Sequence, residues 1–209
     1  MEKHEKVYIQ LKESGFKGWG GKNYDNRMVG WEKQIQLIKE VVGDDVESIA
    51  EFGCGAGDVS IKLAQEGFRV TGIDISPTAI EWAKTKIGEF DLDIEFIASS
   101  ICSEDLLLNR EFDMVIDGNC IHCLFDDDRN RFYYNAKRIL KSGGYLFMSS
   151  AIKENDEDET PSISSIERCV ITEEALRDEL DTMGFEKVKD WISHENHRHY
   201  YGLYTLLKD

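Results

Sequence analysis

The sequence predicts an α/β protein: a doubly wound, mostly parallel seven-stranded sheet with helices on both faces and an antiparallel hairpin at its end. Three observations predict it. From residue 48 onward, short apolar runs alternate with segments of helical period, which implies parallel strands joined by crossover helices. The first of these runs ends in an acid and leads into three alternating glycines, Glu51-Phe52-Gly53-Cys54-Gly55-Ala56-Gly57. The last two runs, Phe185–Ile192 and Tyr200–Leu207, have no helix between them, only the polar connection from Ser193 to His199.

Each element has a local reason. Residues 1–45 carry the helical pattern Ile35, Leu37, Ile38, Val41, Val42 behind Phe16-Lys17-Gly18-Trp19-Gly20-Gly21, and are expected to form a helical lid outside the sheet. Strands are expected near Ser48–Phe52, Arg69–Asp74, Ile94–Ala98, Phe112–Asp117 and Gly144–Ser149. Between them, Ser60–Gln65 follows the glycine turn, and Pro77–Ile87 opens with Ser76 as N-cap and proline at the first position. A third helix, Arg129–Leu140, is introduced by Asp126-Asp127-Asp128, whose charge suits a helix N-terminus, and it stops at Gly143. Thr172 starts a further helix that Gly184 ends. The stretch Lys153 to Glu159 is polar, with Pro161 behind it, and reads as a solvated loop.

A chain of 209 residues suffices for one sizeable core, so one domain is expected, with 46–209 as its sheet. Acidic side chains number 41 against 25 basic, a formal charge of −16 that repels a phosphate backbone and argues against nucleic acid. No run reaches the ~20 apolar residues of a membrane span, and the opening Met1-Glu2-Lys3-His4-Glu5-Lys6 lacks the apolar core of a signal peptide; a cytoplasmic location is expected. Five cysteines, an odd number without secretory context, fit reduced thiols.

The chemistry gathers at the strand ends. Alternating glycines allow close approach of backbone to ligand, and Asp74, at the tip of the second strand, is placed to grip a ribose diol. A dinucleotide turn would be G-x-G-x-x-G, but here the spacing is G-x-G-x-G, with Asp58 where the last glycine should stand. Negative charge from Glu51 and Asp58 disfavours a pyrophosphate and suits a ligand carrying a sulfonium and an ammonium. The set Glu51, Gly53, Gly55, Gly57 and Asp74 resembles the first two motifs of class I S-adenosylmethionine-dependent methyltransferases, whose sheet is Rossmann-like and closes on such a terminal hairpin.

That resemblance implies S-adenosyl-L-methionine as cofactor. It places Glu51, Gly53, Cys54, Gly55 and Gly57 around the methionyl end, Asp74 on the ribose hydroxyls, Ile75 on the adenine face and Asn119 beside the methionine moiety. Where the family often has an acid after the third strand, this chain has Ser99-Ser100-Ile101, which leaves adenine to Ser100, Ile101 and backbone groups. His122 falls where many members carry a histidine; it either accepts a proton from a hydroxyl or amine nucleophile or only shapes the pocket. Trp19, Tyr24, His197 and His199 are candidate substrate contacts. Cys120 and Cys123 supply two thiols where a structural zinc needs four ligands, so no metal is expected.

The reading is methyl transfer to a small molecule by a monomer or homodimer, with catalysis drawn largely from alignment and desolvation. A cofactor-binding pseudoenzyme acting as a regulatory or partner-binding subunit is the alternative. A nicotinamide oxidoreductase is opposed by Asp58 and the terminal hairpin.

Overall fold

A computed structural model describes residues 2–88, 90–155, 157, 166–194 and 198–206. Seven strands make one mixed sheet, and the chain divides into two compact units, Met1–Ser100 and Ile101–Asp209.

The first unit runs α1 (Glu2–Glu13), α2 (Tyr24–Val42), β1 (Ser48–Phe52), α3 (Asp58–Gln65), β2 (Arg69–Asp74), α4 (Pro77–Ile87) and β3 (Ile94–Ala98). Its strands lie in the order β3-β2-β1 and pair in parallel, Ser48 against Arg69 and Val70 against Ile94. All five residues of β1 are buried, as are all of β2 after Arg69, the burial expected where both faces of a parallel sheet are covered. The cap predicted for α4 is present: Ser76 Oγ accepts the Ala79 N–H at 3.0 Å, and Pro77 occupies the first turn. Ile49, Phe52, Leu63 and Ile73 fill this unit's core.

The second unit runs β4 (Phe112–Asp117), α5 (Asp126–Ile139), β5 (Leu140–Ala151), α6 (Glu173–Thr182), β6 (Phe185–Ser193) and β7 (His199–Leu206), with strand order β4-β5-β7-β6. Here β4 and β5 are parallel, while β7 is antiparallel to both β5 and β6, so the expected hairpin closes the sheet. Thr172 Oγ1 accepts the Ala175 N–H at 3.2 Å and caps α6. Phe132, Tyr133, Phe147, Phe185, Tyr200 and Tyr204 are its large buried side chains.

Several boundaries move. α3 starts at Asp58 and α5 at Asp126, because Asp58, which stands after the glycine turn, and the acids read as introducing the third helix are themselves in the first turn, where the helix dipole favours them. α5 ends at Ile139, before Gly143; β5 then runs through Gly143 and Gly144, with a register shift against β4 between Phe112 and Met114. β7 begins at His199 and not Tyr200. Helix α1 lies within the segment expected to be helical, residues 1–45, but the sequence marks no separate helix there: among its twelve residues Tyr8 and Leu11 make too thin an apolar stripe to show in the periodicity.

Candidate functional site

The glycine turn of the first unit is held by its own backbone. Gly53 and Cys54 both donate to Ile73 O, at 2.8 and 2.9 Å, and Gly57 donates to Cys54 O at 3.0 Å. Gly53, Gly55 and Gly57 all have positive φ, near 73°, 56° and 77°. A Cβ at Gly57 would lie 2.5 Å from the Phe96 ring and 2.7 Å from Ala83 Cβ, while one at Gly55 would strike the Tyr8 hydroxyl. The third glycine therefore serves packing, and the second faces α1.

Asp74 closes the turn from the tip of β2. Its Oδ2 accepts the Gly55 N–H at 2.8 Å and its Oδ1 accepts the Ser76 N–H at 2.9 Å. Burial raises its pKa to about 6 against these two bonds, which pull the other way. Glu51 is almost wholly buried in β1 and accepts a short hydrogen bond from Ser60 Oγ; burial raises its pKa to about 7. Neither carboxylate has an ion-pair partner among the described residues. Asp58, by contrast, is neutralised: it accepts from Lys86 Nζ at 2.6 Å and from the Tyr24 hydroxyl at 2.7 Å.

The amino-terminal segment lies on this turn. Glu5 accepts from Ser76 Oγ and Thr78 Oγ1, each at 2.5 Å, which fastens α1 to the start of α4. Tyr8 packs with Ala56, Ala79 and Trp82, and its ring stands 5.2 Å from that of Trp19. The Trp19 carbonyl accepts from Arg27 Nη1 at 2.7 Å. Of the residues expected to bind cofactor, Cys54 is buried and Ile75 and Ser100 are half-buried. Glu5, Tyr8 and Ser60 escaped the sequence reading, because their roles depend on partners 9 to 73 residues away.

In the second unit the end of β4 repeats the theme. Asp117 Oδ1 accepts from Cys120 N at 2.8 Å, Ile121 N at 3.2 Å and Cys120 Sγ at 3.1 Å, while its Oδ2 is buried without a hydrogen-bond partner. Burial raises its pKa to about 6. A signal for Asp117 was in the sequence, since it ends its strand as Asp74 does. Asn119 has φ 74°, and its Oδ1 is likewise buried and unpartnered. His122 is buried in a short 3-10 turn, Ile121–Cys123, with its Nδ1 3.4 Å from the Ala151 N–H that points at it. Ile101 is buried and its carbonyl accepts from Asn135 Nδ2 at 2.7 Å.

The histidines of the hairpin separate. His199 is 9 % exposed, 3.0 Å from Ser149 Oγ through Nε2, and packed on the Tyr201 ring at 4.7 Å. His194 is exposed, and His197 lies outside the described residues.

Residues 49–144 match a family described as "Methyltransferase domain". Over that stretch, a little under half of the chain, the sequence is similar to methyltransferases. The chain is 29 % identical over 119 residues to the ubiquinone biosynthesis O-methyltransferase of Nitrosomonas europaea, a match covering 56 % of the chain and 49 % of that relative. The chain spans about half the length of the first curated relatives it matches. Among solved structures, a SAM-dependent methyltransferase from Methanosarcina mazei superposes with a TM-score of 0.69 at 22 % identity, over 83 % of this chain and 98 % of the other. Magnesium protoporphyrin IX methyltransferase from Synechocystis PCC 6803 with bound SAM gives 0.67 at 19 %, over 86 % and 79 %. At these identities the likeness shows the fold. No described helix is long and apolar enough to cross a membrane.

Proposed function

We propose that this chain transfers a methyl group from S-adenosylmethionine to a small-molecule acceptor. One observation carries the reading: two buried carboxylates, Glu51 and Asp74, flank a glycine turn without any cationic partner among the described residues. Both acids are held above their ordinary pKa, a state that a bound cation relieves. The residues fit the cofactor. Each Asp74 oxygen accepts one N–H and retains a lone pair for a ribose hydroxyl. The unpartnered Asn119 Oδ1 is an acceptor suited to an ammonium.

When bound, S-adenosylmethionine supplies an electrophilic methyl group on a sulfonium. The chain's part is then to orient, desolvate and hold charge. Asp74 and the glycine turn fix the nucleoside end, and Glu51 offers negative charge from behind the turn. His122 is a positioning residue in this scheme. A neutral imidazole whose Nδ1 accepts the Ala151 N–H carries its proton on Nε2, so Nε2 donates and has no lone pair to receive a proton. No strong base is required, because an in-line displacement at a sulfonium has a neutral leaving group.

The name of the Nitrosomonas europaea relative supports a small acceptor, and the charge of −16 opposes nucleic acid. Residues 1–45 act as the lid, with Tyr8 and Trp19 against the turn; a cytoplasmic monomer or homodimer completes the proposal. Calorimetry tests it: S-adenosylmethionine and its demethylated product should bind at about one per chain, with NAD and NADP silent. Nicotinamide binding without adenosylmethionine binding overturns it.

A further inference from the structure

Among 25 basic side chains facing 41 acidic ones, Arg168 stands apart. Other arginines of its unit meet oxygen: Arg129 meets Glu179 at 2.7 Å, Arg177 meets Asp190 at 2.5 Å, and Arg198 lies 3.6 Å from Glu154 and 3.7 Å from Glu173. Arg168 meets none among the described residues, and its Nε is buried without a hydrogen-bond partner. In a chain this acidic, a half-buried guanidinium left without a carboxylate is not explained by folding, since an unmet buried charge is costly.

Its position gives the reason. The next residue, Cys169, donates its N–H to His122 O at 2.7 Å, so the backbone at 168–169 is tied to the 3-10 turn that carries His122. The charge of Arg168 acts on the Cys123 thiol, the neighbour of His122. That thiol does not neutralise it: burial raises the Cys123 pKa to about 11, so the sulfur stays protonated at neutral pH. A permanent cation, a thiol and an imidazole thus stand at one turn; the Asp117 carboxylate also acts on that thiol, but its Oδ1 is taken by the Cys120 and Ile121 N–H groups and it makes no ion pair with Arg168 among the described residues.

We propose that Arg168 recognises an anionic group of the acceptor, a carboxylate or a comparable planar oxyanion, held beside His122. Guanidinium and carboxylate match as paired parallel hydrogen bonds, and an arriving anion supplies the partner that Arg168 lacks among the described residues. The inference rests on the proposed function only in taking the His122 turn as the acceptor's side of the site.

A pair of probes tests it, benzoate and benzyl alcohol, which share a ring and differ in charge. Binding is read by ligand-observed NMR on the full chain at pH 7.5, for wild type, Arg168→Gln and Arg168→Lys, each checked for an unchanged circular dichroism spectrum and S-adenosylmethionine affinity. Wild type should prefer benzoate, Arg168→Gln should weaken benzoate by ~10-fold or more without changing benzyl alcohol, and Arg168→Lys should recover part of the loss. Equal binding of benzoate by wild type and Arg168→Gln, or no preference of wild type for benzoate, overturns the proposal. Failure of wild type to bind S-adenosylmethionine while benzoate still depends on Arg168 would sink the methyl-transfer reading and leave the anion site standing. If Arg168→Gln does not fold, Arg168→Lys decides: the preference for benzoate should shrink, and an undiminished preference overturns the proposal.

Discussion

The N–H of Gly55 donates to Oδ2 of Asp74 at 2.8 Å, so the residue placed to hold a ribose also fastens the glycine turn. Binding and local architecture share one carboxylate. A substitution at Asp74 is therefore expected to act on both.

Asp74→Ala should weaken S-adenosylmethionine by ~10- to 100-fold, the loss of about 1–3 kcal/mol in charge-assisted hydrogen bonds. It should also lower the melting temperature of the free protein, because the N–H groups of Gly55 and Ser76 lose their acceptor. Asp74→Asn keeps a carbonyl acceptor and should fall between the two in stability. Calorimetry and a thermal melt check this together; unchanged affinity in Asp74→Ala would place the ribose elsewhere.

The raised acids set a pH dependence with a definite sign. Glu51 ionises near 7 and Asp74 near 6 in the folded chain, against ordinary values of 4.5 and 3.8, because burial disfavours their charged forms. Over that interval the folded state binds more protons than the unfolded one. Their contribution to stability is fully present below the ordinary values and is lost as pH rises through about 6 to 7. The free protein should accordingly melt at a higher temperature at pH 6 than at pH 8, and Glu51→Gln should flatten that difference. Cofactor affinity should run the opposite way and strengthen from pH 6 to pH 8, since a cationic ligand favours the ionised carboxylates. Proton release on binding, read by calorimetry in two buffers of different ionisation enthalpy, checks the sign directly.

Two glycines of the turn, Gly55 and Gly57, are not equivalent, and alanine substitutions should separate them from each other and from Gly67, which follows α3. Gly67, with φ 98° and open space around it, tests backbone strain alone; Gly67→Ala should cost about 1–2 kcal/mol. Gly57→Ala adds a collision with Phe96 and Ala83 inside the core and should cost more than about 3 kcal/mol. Gly55→Ala meets the Tyr8 hydroxyl, which lies on α1, so its strain can be relieved by moving the helix. Urea unfolding measures all three, and restoration of Gly55→Ala stability by Tyr8→Phe would confirm that the hydroxyl is the obstacle.

What the sequence disclosed follows from how local each signal is. The spacing of Gly53, Gly55 and Gly57, the N-caps Ser76 and Thr172, and the run of acids at 126–128 are statements about neighbouring residues, and they placed β1 to β4, α4 and α6 within a residue or two. The attachment of α1 was invisible because Glu5 finds its partners at Ser76 and Thr78, across 71 and 73 positions. At the site, Glu51 and Asp74 could be named from the turn, but their lack of a cationic partner among the described residues could not. The tautomer of His122 was out of reach for the same reason, since the N–H that fixes it belongs to Ala151, 29 residues on.

His122 provides the sharpest contrast between the two roles read for it. With Nδ1 occupied by the Ala151 N–H, the ring is set to donate from Nε2 and to hold the acceptor, so His122→Gln, whose amide also donates, should keep kcat within ~10-fold while raising KM. A general base would behave otherwise, losing ~10²- to 10⁴-fold in kcat on the same substitution. The pH profile separates the cases even if the folds of the two proteins differ slightly. Positioning predicts that wild type and His122→Gln share one profile, since cofactor binding, on which Glu51 and Asp74 act, is saturated. Base catalysis predicts that an acidic limb present in wild type vanishes in the variant. Rates at saturating cofactor from pH 5.5 to 9, measured for both proteins, decide between a side chain that takes a proton and one that only holds the acceptor in line.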